Sequence, residues 1–109
     1  MKKFDVTGIS AETKDNGYVV KLSAVRKIES VEAWIGDDNW LYITIPDTSV
    51  DLDQIGRLRK NPIIERMECF FYHASVQICL QLKEKVEQLD IVRYRDENDV
   101  YIALYRIKQ

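Results

Sequence analysis

The chain has 109 residues, enough for one domain with a core of its own. Sixteen Lys+Arg against 18 Asp+Glu, a net charge of −2, provide no basic face for nucleic acid and no polybasic patch for a membrane surface. Hydrophobic residues at 46% and charged residues at 31% are those of a globular domain, and no run approaches the roughly 20 apolar residues that span a bilayer.

Met1-Lys2-Lys3 could open a secretory signal, but Asp5 and Thr7 stand where the apolar segment should be. The expectation is an intracellular chain, or a mature or excised module whose export signal lies elsewhere. The first strands are predicted at Lys3–Ala11, Tyr18–Val25, Ser30–Ile35 and Trp40–Ile45. Lys14-Asp15-Asn16-Gly17 and Gly36-Asp37-Asp38-Asn39 separate them as turns. Pro46–Asn61 is a connector of open form. Leu52, Ile55 and Leu58 have helical spacing that Gly56 weakens, and a short strand fits as well. Four more strands are predicted at Ile63–Tyr72, Ser75–Leu82, Gln88–Tyr94 and Val100–Arg106, with Asp96-Glu97-Asn98-Asp99 as the last turn. Val76, Ile78, Leu80 and Leu82 alternate with Gln77, Cys79 and Gln81, so this strand buries one face and wets the other.

The two groups of four repeat one pattern. At an offset of 58, Val6, Ile9 and Ala11 fall on Ile64, Met67 and Cys69, and Tyr18, Val20 and Leu22 on Val76, Ile78 and Leu80. Ile28, Val31 and Ala33 fall on Val86, Leu89 and Ile91. One extra residue in the turn Arg93–Asp99 makes the offset 59, and Leu41, Ile43 and Ile45 then fall on Val100, Ile102 and Leu104. The expected fold is all-β: a single domain, a two-sheet β-sandwich built from two similar four-stranded halves (about 3–45 and 62–106), each sheet made mainly from one half. Facing sheets bury apolar area at about 25 cal/mol per Å².

The run Ile63-Ile64 through Met67, then Ser75-Val76-Gln77-Ile78-Cys79-Leu80, Ile91-Val92 and Val100-Tyr101-Ile102-Ala103-Leu104, resembles the AMIN domain, a cell-envelope module found beside amidases and in secretin-type outer-membrane proteins. The likeness covers nearly the whole chain and rests on apolar spacing. The family usually has an Arg opening the central strand and an Asp within it, where this chain has Ser75 and Cys79. The resemblance implies a sandwich of two symmetric sheets, a periplasmic or cell-envelope location, a targeting role with peptidoglycan as ligand, and no reaction.

The residues themselves point away from catalysis. His73 is the only histidine, and on an extended strand Cys69 lies about 13 Å from it. His73-Ala74 reads as a hairpin turn. A two-residue turn there sets Cys69 opposite Ile78 and Cys79 opposite Glu68. Cys69 is then a buried apolar group beside Met67 and Phe71, and Cys79 a surface thiol. A three-residue loop would set the cysteines opposite one another and permit a disulfide, at the expense of the in–out pattern, so free thiols are favoured. No metal-ligand spacing is present, Arg95–Asp99 lacks the length and Gly of an EF-hand, and no cofactor is implied. Glu65, Glu68, Asp90 and Glu97 are carboxylates that nothing in the sequence pairs in a cleft.

A small sandwich binds through its loops or through an outer sheet face, and alternation assigns the rings to the faces. With Leu41, Ile43 and Ile45 inward, Trp40 and Tyr42 point out; with Val100, Ile102 and Leu104 inward, Tyr101 and Tyr105 point out; Trp34 lies opposite Ala33. Trp34, Trp40, Tyr42, Tyr101 and Tyr105, with Arg66, are therefore the candidate ligand residues. Ring strips suit sugar C–H faces or another protein equally well, and the resemblance tips the choice towards glycan. Arg26, Lys27, Arg57, Arg59, Lys60 and Arg66 are cations available to stem-peptide carboxylates. The expected partners are peptidoglycan or another envelope protein, with no nucleic acid and no membrane span.

Overall fold

A computed structural model describes residues 5–51, 53, 61–73 and 75–106. Its strands are β1 (Val6–Lys14), β2 (Gly17–Ala24), β3 (Glu32–Ile35), β4 (Trp40–Pro46), β5 (Ile64–Tyr72), β6 (Ser75–Leu82), β7 (Val86–Arg93) and β8 (Val100–Arg106). They form two antiparallel four-stranded sheets, in the orders β1-β2-β8-β7 and β3-β4-β6-β5. The predicted sandwich and its eight strands are present. Among the described residues, no helix is long and apolar enough to cross a membrane.

One expectation is corrected. Each sheet takes two strands from each half, not four from one. Four local hairpins each carry one apolar face, which only another hairpin can cover. The link after β2 (Val25–Val31) and the shorter one after β6 (Lys83–Lys85) each carry the next hairpin over to the facing sheet. The inner strand of each hairpin is then left to pair with the other half, β2 with β8 and β4 with β6.

The repeat extends to the hydrogen-bonded register. Ile9–Leu22 of β1–β2 has its counterpart in Met67–Leu80 of β5–β6. Val20–Ile102 corresponds to Ile43–Ile78, and Ala33–Ile43 to Ile91–Ile102. The irregularity between Val6 and Gly8 recurs between Ile64 and Arg66. Val25 N–H donates to the Asp5 carbonyl at 2.9 Å, as Lys83 N–H does to that of Ile63 at 3.1 Å. Exchanging the halves converts one sheet into the other, so the sandwich is pseudo-two-fold.

The core is the set of inward repeat positions. Val20, Leu22, Leu41, Ile43, Ile45, Ile78, Leu80, Val100 and Ile102 are all at zero exposure. No buried residue is polar or charged among those described. The connector contributes Val50, which makes a single parallel bridge to Val6. Its predicted residues Leu52, Ile55, Gly56, Leu58, Arg57, Arg59 and Lys60 lie outside the described residues.

Candidate functional site

β4 is a central strand, so its inward residues fill the core and its outward ones are held on a flat, well-supported face. The ring of Tyr42 stacks between two indoles, with centroids 5.5 Å from Trp34 at 21° and 6.4 Å from Trp40 at 24°. Tyr42 faces Trp34 across β3–β4 and Cys79 across β4–β6. Its ring overlies Gly36, where a Cβ would come within 2.7 Å of the ring carbon Cε2. Glycine at position 36 thus makes room for the stack. Trp34, on the edge strand, is 43% exposed.

Arg66 lies on the same face. Trp40 faces Gln81, and Gln81 faces Arg66 across the next strand pair. Two inter-strand spacings put Arg66 roughly 10 Å from Trp40 in the plane of the sheet. Thr44, one step further along β4, has a buried Oγ1 with no hydrogen-bond partner.

Four of the six predicted residues are therefore brought together: Trp34, Trp40, Tyr42 and Arg66. The other two, Tyr101 and Tyr105, stand on the outer face of the opposite sheet, on β8. Tyr101 is engaged by its own chain. Tyr94 packs edge-on against it at 5.3 Å, and the Lys21 ammonium sits over its ring at 5.7 Å. Lys21 also pairs with Asp99 at 3.5 Å, and Asp99 accepts the Ala24 N–H at 3.0 Å. Beside these groups runs a shallow cavity of about 450 Å³, with Val19 and Ala103 on its floor and Glu12, Lys14, Lys21 and Tyr94 on its walls.

The alternation argument missed Phe70 and Tyr72. They follow Glu68 on the outward side of β5, in register with Gln77 and Ser75, and are 44% and 57% exposed. The cysteine register contained the signal, since it sets every even residue from Arg66 to Tyr72 outward. Phe71, expected inside with Met67 and Cys69, is instead 54% exposed, because it lies at the end of the hairpin opposite Val76.

Cys69 faces Ile78 and Cys79 faces Glu68, as the two-residue turn requires, and both thiols are free. Cys79 is not the expected surface thiol. It is 3% exposed, because β6 is a central strand and Tyr42 and Glu68 flank it. Burial pushes both thiols above the ordinary cysteine range. His73 is exposed at the hairpin turn, beside a cavity of about 550 Å³ that also takes in Asp5 and Asp47. The described residues include no group of three or more His, Cys, Asp or Glu placed to hold a metal ion.

Compared with known proteins, the chain matches no family model and no curated protein.

Proposed function

We propose that the chain is a non-catalytic targeting module of the cell envelope that holds peptidoglycan on the outer face of the β3-β4-β6-β5 sheet. The observation that supports this reading is the Trp34–Tyr42–Trp40 stack on a solvent-facing surface. The core does not need these rings, since the opposite face of the same strands is already filled. Sugar rings present C–H faces that pack on aromatic planes, and Arg66 at the far side of the sheet supplies a fork for a stem-peptide carboxylate. Tyr101 and Tyr105 offer a second, weaker contact on the opposite face.

Pelleting with purified peptidoglycan tests this. The wild type co-sediments, and Trp34→Ala and Tyr42→Ala each weaken retention by about tenfold. A wild-type protein that stays in the supernatant overturns the proposal.

A second reading, an assembly domain within a larger secretin-type envelope complex, draws on a different feature. Phe70, Phe71 and Tyr72 stand exposed in succession on an edge strand. Exposed apolar patches of this kind mark protein contacts.

A further inference from the structure

The pseudo-two-fold gives an internal control for the tip of the β5–β6 hairpin. Its equivalent, the tip of β1–β2, carries Glu12, Thr13 and Lys14 where β5 carries Phe70, Phe71 and Tyr72. Glu12 and Lys14 form an ion pair at 3.2 Å. Charges of this kind guard a sheet edge against other strands. The fold therefore accepts a polar tip, and nothing in its packing requires aromatic residues on β5.

The two edges also differ in cover. Ser49 O accepts the N–H groups of Asp5 and Val6, both at 3.0 Å, and Asp51 N–H donates to Val6 O at 3.0 Å. Asn61 Nδ2 donates to Ala11 O at 2.9 Å. The β1 edge is thus bonded by the connector at two places. On β5, Ile64 N–H is taken by Asn61 O at 3.1 Å, but among the described residues no strand pairs with the outer side of Arg66–Tyr72.

We propose that this edge pairs with itself, joining two copies of the chain through antiparallel β5 strands centred on Cys69. Of the possible registers, this one uses the full stretch beyond the irregularity at Ile64–Arg66 and is self-complementary. On the outer face Arg66 meets the partner's Tyr72, a cation over a ring. On the inner face Met67 meets the partner's Phe71, a sulfur–aromatic contact. Each contact occurs twice, as a two-fold interface demands. The two β3-β4-β6-β5 sheets become one eight-stranded sheet, and both Trp34–Tyr42–Trp40 stacks face the same side. A repetitive polymer would then be held at two points by one dimer. The inference deepens the assembly reading by naming a second copy as the partner, and it does not depend on glycan binding.

Sedimentation equilibrium of the full chain tests it. A single shared edge is a small interface, so the dimer fraction rises over concentrations on the order of 10–100 µM. Phe71→Lys remains monomeric throughout, while Thr13→Lys, its counterpart on β1, dimerises like the wild type. Tyr72→Lys gives the same answer if Phe71→Lys loses its β-sheet circular dichroism. In this register the two Cys69 residues oppose one another on one face, within disulfide range, so mild oxidation cross-links the wild type and not Cys69→Ser. A wild type that is monomeric across the range overturns the proposal while leaving docking of a different protein untouched. So does a dimer that the lysine variants leave intact, or one that does not cross-link through Cys69.

Discussion

Tyr42 and Tyr101 occupy equivalent places, each on a central strand and each pointing away from the core, yet their surroundings differ. Tyr42 is flanked by two indoles and lies over Gly36. At the place equivalent to Gly36 the second half has Tyr94, which turns its edge to Tyr101, and Val92 stands where Trp34 would be. Lys21 and Asp99 complete a polar cluster around Tyr101. One backbone thus carries an aromatic platform on one side and a self-satisfied polar face on the other. The fold requires equivalence only at inward positions, so divergence on the outside reports what each face is for.

The largest expected effect tests the inward half of that statement. Ile43 and Ile102 are repeat partners at zero exposure, and they pair with Ile78 and Val20 at matching places. Ile43→Ala and Ile102→Ala should each lose about 3–4 kcal/mol in urea unfolding, through lost transfer energy and the cavity left behind. Losses differing by more than about 2 kcal/mol would mean that the two halves are not energetically alike.

Next comes a place where the repeat is broken by backbone geometry. Gly17 opens β2 at φ +159°, and a Cβ there would lie 1.8 Å from the Leu104 carbonyl oxygen. Its counterpart in β6 is Ser75, opposite Pro46. Gly17→Ala must push β8 away, and a loss on the order of 2–3 kcal/mol is expected, measured as the urea midpoint. Ser75→Ala should stay within about 0.5 kcal/mol. An alanine tolerated equally at both places would show that the close approach at Gly17 is relieved without cost.

Much of this architecture was legible in advance. The offset of 58, stepping to 59 after the turn at Arg93–Asp99, foretold which residues are equivalent, and the strand registers obey it. Alternation put Leu41, Ile43 and Ile45 inside and Tyr42 outside. The assignment of strands to sheets was hidden, because alternation is satisfied equally whether the chain after Ala24 turns back or crosses over. Only the pairing of β2 with β8, more than seventy residues apart, decides it. Cys79 was misjudged for a related reason: the exposure of an outward residue depends on its neighbours on the strands either side, here Tyr42 and Glu68, not on its own strand. Phe70 and Tyr72 were passed over because consecutive aromatic residues satisfy either face, and only the register that sets Cys69 opposite Ile78 turns them outward.

Binding sharpens the comparison of the two faces. Trp34→Ala is expected to weaken peptidoglycan retention about tenfold, whereas Tyr101→Ala, whose ring is already occupied by Lys21 and Tyr94, should change it by less than about twofold. Equal losses would show that both faces hold ligand and that Tyr101 is released from its cluster on binding.

The smallest effect compares the two corners where the chain crosses between sheets. At the first, Asp5 accepts from Arg26 Nε at 2.8 Å and Nη2 at 3.2 Å, and from the Ser49 N–H at 3.0 Å. The Arg26 guanidinium, then the Ser49 amide, holds the Asp5 carboxyl below its ordinary range. The equivalent corner has Ile63 in place of Asp5, and its charges are inverted: Glu84 stands where Arg26 does, taking hydrogen bonds from the Tyr18 hydroxyl and from Arg106 Nε. The Tyr18 hydroxyl, then the charge of Arg106, lowers the Glu84 carboxyl in turn. A carboxyl lowered by folding contributes stability above its unfolded pKa, and that stability is lost as pH falls through the folded value. Both corners therefore weaken as pH drops below about 4. Asp5→Asn should flatten the fall in urea midpoint between neutral and acid pH more than Glu84→Gln, because Glu84 is the more open to water, its side chain 56% exposed against 25% for Asp5. A larger flattening from Glu84→Gln would place the stronger clasp at the second corner and reverse the order of the two halves.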